Sequence, residues 1–227
     1  MKMFKLKSAI TEDDRSDDVF FGNFFLDRRS VKNGVIVTDG IFTAPKIING
    51  NYDTNAIPLK TLKGIPIRVD GSFNCEASHL TSLEHGPNYV RDVYDCSANR
   101  LTDLKGAPQN PVASLIVNHN RKLVTLEGVT PKVQLLSVKS CPQLKSLHDI
   151  HKQMSVISRR FICHDFAMQI TSSILGLMLI ELGDVSTEYD NDDVANILNK
   201  WKNQGRKGVL GAQRELLDLG HDELARL

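Results

Sequence analysis

The stretch "YDCSANRLTDL" (residues 94–104) carries the pattern that decides the fold. Hydrophobic and polar residues alternate up to Cys96, and Asn99 then precedes a leucine pair, Leu101 and Leu104. Alternation of this kind is typical of a strand with one buried face. Whether Cys96 is a reactive thiol or a core residue depends on what the neighbouring repeats place at the same position.

The middle of the chain repeats this pattern with a 21-residue period. One hydrophobic column reads Tyr52, Phe73, Tyr94, Leu115 and Leu136. A second column, two residues later, reads Thr54, Cys75, Cys96, Val117 and Val138. The leucine pairs that follow are Leu59/Leu62, Leu80/Leu83, Leu101/Leu104, Leu123/Leu126 and Leu144/Leu147. Because a buried cysteine packs as a small hydrophobic residue, the repeat predicts that Cys96 is structural.

Glycine and proline follow the second leucine in "LKTLKGIP", "LTSLEHGP", "LTDLKGAP" and "LVTLEGVTP", where the chain must turn back. A strand, a turn and a return path within roughly 20 to 29 residues is the pattern of a leucine-rich repeat. Over residues 46 to 182 the chain resembles the short-repeat leucine-rich repeat proteins of bacteria and their viruses, whose unit is hydrophobic-x-hydrophobic-x-x-Asn-x-Leu-x-x-Leu. The asparagine position holds Ile57, Ser78 and Cys141 in other repeats, so an interrupted asparagine ladder is expected.

The resemblance implies an α/β leucine-rich repeat solenoid with short parallel strands on a concave face and a mostly irregular convex side. We divide the chain into an N-terminal cap (1–45), the solenoid (46–183) and a C-terminal helical cap (184–227). Within the first of these, the acidic "TEDDRSDD" (11–18) predicts the start of a helix. "GVIVTDGIFTAP" (34–45) predicts two short strands around a turn.

The end of the chain departs from the 21-residue repeat. "FICHDF" (161–166) predicts another strand of the solenoid, and "LGLMLIELG" (175–183) one more buried strand or turn. "DNDDVANILNKWKNQG" then has helical periodicity, with Gly205 as its stop, and "KGVLGAQRELLDLG" predicts a second helix. This helical ending resembles the tail of uncharacterised leucine-rich repeat proteins of tailed bacteriophages.

Charge and hydropathy exclude several classes of partner. A net charge of +1 with 24% charged residues gives no electrostatic signature of a nucleic-acid or membrane-surface protein. A small basic cluster with one aromatic side chain is better explained by packing of the helical cap; its members are Lys200, Trp201, Lys202, Arg206 and Lys207. The longest apolar run (174–182) is too short to span a bilayer. Four cysteines fit a reducing compartment, which predicts a cytoplasmic protein, in the host cytoplasm if viral.

Two groups of residues invite a catalytic or metal-binding interpretation. Cys163, His164 and Asp165 contain the residue types of a nucleophile set, but on a strand Cys163 and His164 point to opposite faces. His148 and His151, with Cys163 and His164, lack the Cys-x-x-Cys partner that a zinc site commonly has. The sequence therefore predicts no catalytic residue, no cofactor and no metal.

The outward positions of the strands predict a binding surface, acidic and amide-rich in its first half and more apolar in its second. Its members are Asp53, Asn74, Glu76, Asp92, Val93, Asp95, Ile116, Asn118, His119, Leu135 and Lys139. We expect a non-enzymatic protein–protein interaction module; in a phage it would be an accessory, host-takeover or defence-blocking protein. The alternative is a structural component of a virus particle or larger assembly, with contacts through the aromatic segment 19–25. An enzyme whose site forms no recognisable motif is the third possibility.

Overall fold

Fourteen short strands recur along the part of the chain that the computed structural model describes, residues 19–37, 45–163, 170, 172–187 and 192–226. They are β1 (Val19–Phe21), β2 (Phe24–Phe25), β3 (Val31–Lys32), β4 (Val35–Ile36), β5 (Ile47–Asn49), β6 (Tyr52–Asp53), β7 (Arg68–Val69), β8 (Phe73–Asn74), β9 (Tyr89–Val90), β10 (Val93–Asp95), β11 (Val112–Ile116), β12 (Lys132–Val138), β13 (Val156–Cys163) and β14 (Glu181–Ser186). The predicted helix start at 11–18 lies outside the described residues.

The strands assemble into a parallel β-solenoid. One sheet has eight strands in the order β2-β6-β8-β10-β11-β12-β13-β14, and a second has four in the order β1-β5-β7-β9. Neighbours in both sheets pair in parallel, each strand with its counterpart in the next turn. Each turn of the chain therefore adds a parallel strand to the one before it, as the repeat predicted, whereas the four-stranded sheet was not predicted.

The register confirms both predicted columns. Tyr52 pairs with Phe73, Phe73 with Tyr94, and the column continues without a shift to Leu136. The rings of Phe73 and Tyr94 stack edge to face with centroids 5.1 Å apart. In the second column Cys96 is completely buried, like its neighbours on both sides. Cys96 is a core residue, as predicted.

Later turns keep the columns although the unit lengthens. Phe161 pairs with Leu136, and Cys163 pairs with Val138, which confirms the strand predicted at 161–166 as far as residue 163. A β-bulge in β13, where the register shifts between Val133 and Leu135 of β12, absorbs one of the additional residues.

A ladder of side-chain donors links four successive turns, each to the one before it; Ile57, at the same position of the first repeat, has no side-chain donor. Asn99 Nδ2 donates to the Cys75 carbonyl (2.8 Å), and Asn120 Nδ2 donates to the Cys96 carbonyl (3.0 Å). Where asparagine is missing, Ser78 Oγ donates to the Thr54 carbonyl (2.8 Å) and Cys141 Sγ to the Val117 carbonyl (3.4 Å). The asparagines are interrupted as expected, but the hydrogen-bond ladder continues through serine and cysteine.

A column of left-handed residues immediately precedes the asparagine position of each repeat. Ala56, Ala77, Ala98, His119 and Ser140 have φ of 55°, 52°, 54°, 58° and 53°. This conformation costs a non-glycine residue on the order of 1 kcal/mol, so the turn imposes it against local preference. Backbone hydrogen bonds to the next turn continue at this column: Ala98 N–H, for example, donates to the Asn118 carbonyl (2.8 Å).

Both parallel sheets begin within residues 1–45, the segment predicted as the N-terminal cap. β1 pairs with β5 and β2 with β6, and the Phe24 ring stacks on Tyr52 at 5.2 Å. In the described part of 34–45, β4 pairs with β3 in an antiparallel hairpin. Its turn consists of Asn33 and Gly34, which both have positive φ. An Asn-Gly turn suits a two-residue hairpin, so β4 pairs with the strand before it; the predicted second strand after β4 falls on residues outside the described chain. The remainder, 38–44, lies outside the described residues.

Helices are few in the described chain. They are α1 (Ile150–Gln153), α2 (Asp193–Trp201) and α3 (Gly205–Asp218), with 3-10 turns at Arg28–Ser30 and Ile174–Leu179. The two predicted C-terminal helices are confirmed. Gly205 was predicted to end the first helix, but it is the first residue of α3. The first helix, α2, already ends at Trp201, and Asn203 in the left-handed region (φ 60°) changes the direction of the chain between the two helices. The apolar run predicted as strand or turn is the second 3-10 turn followed by β14.

Candidate functional site

Two adjacent rows of side chains define what we call the outward face of the eight-stranded sheet. The first row comprises Asp53, Asn74, Asp95 and Ile116, which are successive register partners on β6, β8, β10 and β11. They alternate with the buried columns, so their side chains leave the opposite side of the sheet, and all four are half-buried. The structure thus brings these four predicted residues together in one line.

The second row contains the other apolar residues of the predicted surface. Val93 pairs with Ser114, and Ser114 pairs with Leu135, so a serine separates the two half-buried apolar side chains. Beyond Leu135 the row continues to Arg160, whose register partner is Asp184. Both charged residues were missed in the sequence. The signal for Arg160 was present, because it immediately precedes Phe161, which continues the buried column; Asp184 follows a unit that departs from the 21-residue period.

The polar residues of the first row also hold the turns that follow them. Asp53 Oδ1 accepts a hydrogen bond from Asn55 N–H (2.7 Å), and Asp95 Oδ1 accepts one from Ser97 N–H (2.9 Å). Asn74 Oδ1 does the same for the N–H two residues on (2.9 Å). These are Asx turns, in which a short side chain substitutes for a backbone acceptor. One oxygen of each side chain is therefore already engaged, and a ligand would meet the remaining polar atoms.

Glu76 and Asn118 are tied to the neighbouring turn. Glu76 Oε2 accepts from Asn55 Nδ2 (3.1 Å). Asn118 Oδ1 accepts from Ser137 Oγ (2.8 Å) and from the N–H of Lys139 (2.8 Å). Asn118 is consequently a brace between two turns as well as a surface residue.

Asp92 and His119 are the most accessible of the predicted residues, since both are exposed while the other nine are half-buried. Asp92 lies immediately before β10, and its carbonyl accepts from Ser114 N–H (2.9 Å). His119 occupies the left-handed position at which three other turns carry alanine, so an imidazole stands at the end of its strand where those turns have only a methyl group.

Cys75, Cys96 and Cys141 have no sign of activation. All four cysteines are buried thiols. Burial raises the pKa of Cys75 and Cys96 well above the ordinary value, and the nearby Asp95 carboxylate raises both further. Burial also raises the pKa of Cys141, to about 11. These three thiols stay protonated at neutral pH and are poor nucleophiles.

The groups considered for catalysis or metal binding do not form a site in the described residues. Cys163 is buried, whereas His164 and Asp165 lie outside the described residues. His151 Nδ1 is buried without a hydrogen-bond partner there, but no cluster of three or more metal-ligating side chains occurs in the described part of the chain.

The basic cluster near the C-terminus is largely occupied by contacts within the cap. Lys200 Nζ pairs with Glu215 (2.5 Å) and Lys202 Nζ with Asp184 (2.7 Å). The Trp201 ring lies against Gly211 so closely that a Cβ there would be 2.4 Å from its Cε3 atom. This close approach of α2 and α3 requires glycine.

A charged network on the other sheet was missed in the sequence. Asp70 accepts from Arg68 Nη2 (2.7 Å) and from Arg91 Nη2 (2.9 Å), and the Arg68 guanidinium lies 4.2 Å from the centroid of the Tyr89 ring. The Arg68 hydrogen bond is the main cause that lowers the pKa of Asp70. The signal was present, because Arg68 and Tyr89 occupy equivalent positions of successive repeats, as do Asp70 and Arg91.

Comparison with protein-family models, curated proteins and solved structures gave no match to this chain. None of the described helices is both long and apolar enough to cross a membrane. Function is therefore inferred from the geometry of the outward face itself.

Proposed function

We propose that this protein is a non-enzymatic binding module that holds a protein partner on the outward face. The observation that supports the proposal is the register of the parallel strands in the eight-stranded sheet. Asp53, Asn74, Asp95 and Ile116 form one continuous row, with Val93 and Leu135 in the next. Solenoids present extended surfaces of this kind because each turn adds one strand to the same sheet.

The composition of the face favours a partner that is apolar with a basic margin. Val93, Ile116 and Leu135 offer apolar area whose desolvation favours association. Asp53 lies at the other end of the first row and Asp95 lies directly beside Ile116, so these carboxylates would steer and orient positively charged groups at the margin of the partner. The half-buried state of these side chains means that they are already partly ordered, which lowers the entropy lost on binding.

We further infer that the solenoid is of the leucine-rich repeat type. The inference is supported by the 21-residue period and by Asn99 and Asn120, which are buried and donate to the preceding turn. The proposed role in a phage, as an accessory, host-takeover or defence-blocking protein, rests on the sequence resemblance. A cytoplasmic location is supported by the four cysteines, all of which are buried thiols.

A second candidate function is that of a structural component of a particle or larger assembly. It is favoured by Phe21 and Phe25, whose side chains are 75% and 68% exposed at the N-terminal edge of the solenoid. Mass spectrometry of purified particles tests it, and absence of the chain from the particle would exclude it.

The binding module is tested by affinity capture from host lysate with single charged substitutions on the face. Ile116→Lys and Leu135→Lys are both outward and half-buried, so we expect each to keep the fold and abolish capture of the partner. Val124→Lys is the matched control, because Val124 is 51% exposed in the return path between strands. Circular dichroism checks folding. A partner retained equally by all three variants would refute the proposal.

A further inference from the structure

The C-terminal edge of the eight-stranded sheet is closed by two asparagine side chains. Leu182 N–H donates to Asn203 Oδ1 (2.9 Å), and Asn203 Nδ2 donates back to the Leu182 carbonyl (2.7 Å). Val185 N–H donates to Asn199 Oδ1 (2.8 Å), and Asn199 Nδ2 donates back to the Val185 carbonyl (2.7 Å). Each amide therefore satisfies both backbone groups of one residue of β14. We call Asn199 and Asn203 the amide clamp.

The amide clamp occupies the position of a further strand. In a parallel sheet, a residue that faces its neighbour donates to one carbonyl and accepts from one N–H of that neighbour. A primary amide carries the same acceptor and donor in one group. Lys202, between the two asparagines, adds a hydrogen bond from Nζ to the Gly183 carbonyl (3.1 Å). The end of α2 thus blocks an edge that would otherwise accept a strand.

The opposite edge of the same sheet is β2, and no such cover lies on it in the described chain. Phe24 and Leu26 direct their N–H groups to β6, at 2.7 and 2.9 Å from the Asn51 and Asp53 carbonyls. The N–H of Phe25, between them, therefore points away from the sheet. An edge with outward backbone groups is a template for another strand.

The two edges belong to one column of the core. The aromatic column begins with Phe24 on β2 and passes through successive register pairs to Phe161 and finally Val185 on β14. Val185 is also the residue whose backbone Asn199 binds. A second copy placed end to end would set its Phe24 in register with Val185 and continue the column, with its Phe25 N–H directed at the Val185 carbonyl.

We propose that the β14 edge is a strand-docking surface for the N-terminal edge of a second copy of this chain, and that the amide clamp occludes it. The contact joins two different surfaces, so once opened it repeats from copy to copy and builds an open filament. The clamp holds the chain out of this assembly. This inference goes beyond the proposed binding module and is independent of it, since it involves none of the residues of the outward face.

The test is sedimentation velocity over a range of concentrations with Asn199→Ala and Asn203→Ala combined. We expect the double variant to form species whose mass rises with concentration, while the wild-type chain keeps one mass. Asn196→Ala is the matched control, because Asn196 is an exposed asparagine on the same helix, and we expect it to behave as wild type. Adding Phe25→Pro to the double variant removes the outward N–H and is expected to restore the wild-type mass.

Three results would overturn the proposal. The first is a double variant that is folded by circular dichroism and sediments as wild type at every concentration. The second is association that persists with Phe25→Pro, because it would not use the N-terminal edge. If the double variant does not fold, Asn199→Ala is examined alone, because Asn199 covers the backbone of Val185, which would pair with Phe24 of the second copy. The third result is that this variant is folded and keeps the wild-type mass.

Discussion

Replacement of Asn99 by alanine tests the donor ladder most directly. Asn99 is 5% exposed; its Oδ1 accepts from Leu80 N–H (2.9 Å) and its Nδ2 donates to the Cys75 carbonyl (2.8 Å). Alanine leaves this buried N–H and this carbonyl without their partner. A buried group left unsatisfied costs about 1 to 3 kcal/mol, so two give roughly 2 to 6 kcal/mol. That is a large share of the stability of an ordinary domain, which is about 5 to 15 kcal/mol.

Urea unfolding followed by circular dichroism measures this loss as a change in the free energy of unfolding. Asn99→Ser is expected to cost less than alanine, because Ser78 already makes the equivalent donation in the preceding turn (2.8 Å). Asn88→Ala serves as the control, since Asn88 is exposed. An Asn99→Ala variant within about 0.5 kcal/mol of wild type, the range of an ordinary surface substitution, would refute the ladder as a source of stability.

Four further outcomes are expected. In urea unfolding, Cys96→Val should be nearly neutral. Cys96→Ser should cost only about 1 kcal/mol, because a hydroxyl can donate to the Ile116 carbonyl that Sγ already contacts at 3.5 Å. Full loss of partner capture by a folded Cys96→Val would show a chemical role for the thiol. Ala98→Gly relieves a φ of 54° and should raise the melting temperature slightly, while a marked fall would contradict the strain argument. Tyr94→Phe removes a buried hydroxyl without a partner in the described chain and should stabilise the fold by roughly 1 kcal/mol; a clear destabilisation would reveal an unseen partner. The pKa of Asp70 is lowered in the folded chain, so its contribution to folding stability is present above its ordinary pKa and is lost as pH falls through the lowered value. Asp70→Asn should therefore lower the melting temperature at pH about 7, and the difference from wild type should vanish in acid. A difference that does not depend on pH would refute this.

The repeat made the core predictable, because a regular period assigns every buried position once one strand is recognised. Cys96 and Cys163 were placed correctly for that reason. The same period was sufficient to find the Arg68 and Asp70 network, had the outward positions of the other sheet been aligned as well. The dual role of Asp95 was also readable, since an aspartate two residues before a turn amide is a frequent Asx-turn residue.

The rest depended on geometry that a repeat does not encode. A longer unit shows that residues have been added before Phe161, but not that one of them forms a bulge in β13. The amide clamp depends on the angle at which α2 meets β14. Asn199 and Asn203 are ordinary polar residues of a helical cap until that angle brings both amides to the strand.

The donor ladder also affects how this chain can change in length. Asn99 and Asn120 each use Nδ2 to reach back to the turn immediately before their own. A duplicated turn would bring its own donor, its own acceptor carbonyl and its own left-handed residue. Tandem duplication of one unit could therefore lengthen the protein without redesign of the existing core. The outward face would grow by one strand at a time, and selection could act on its size separately from its sequence.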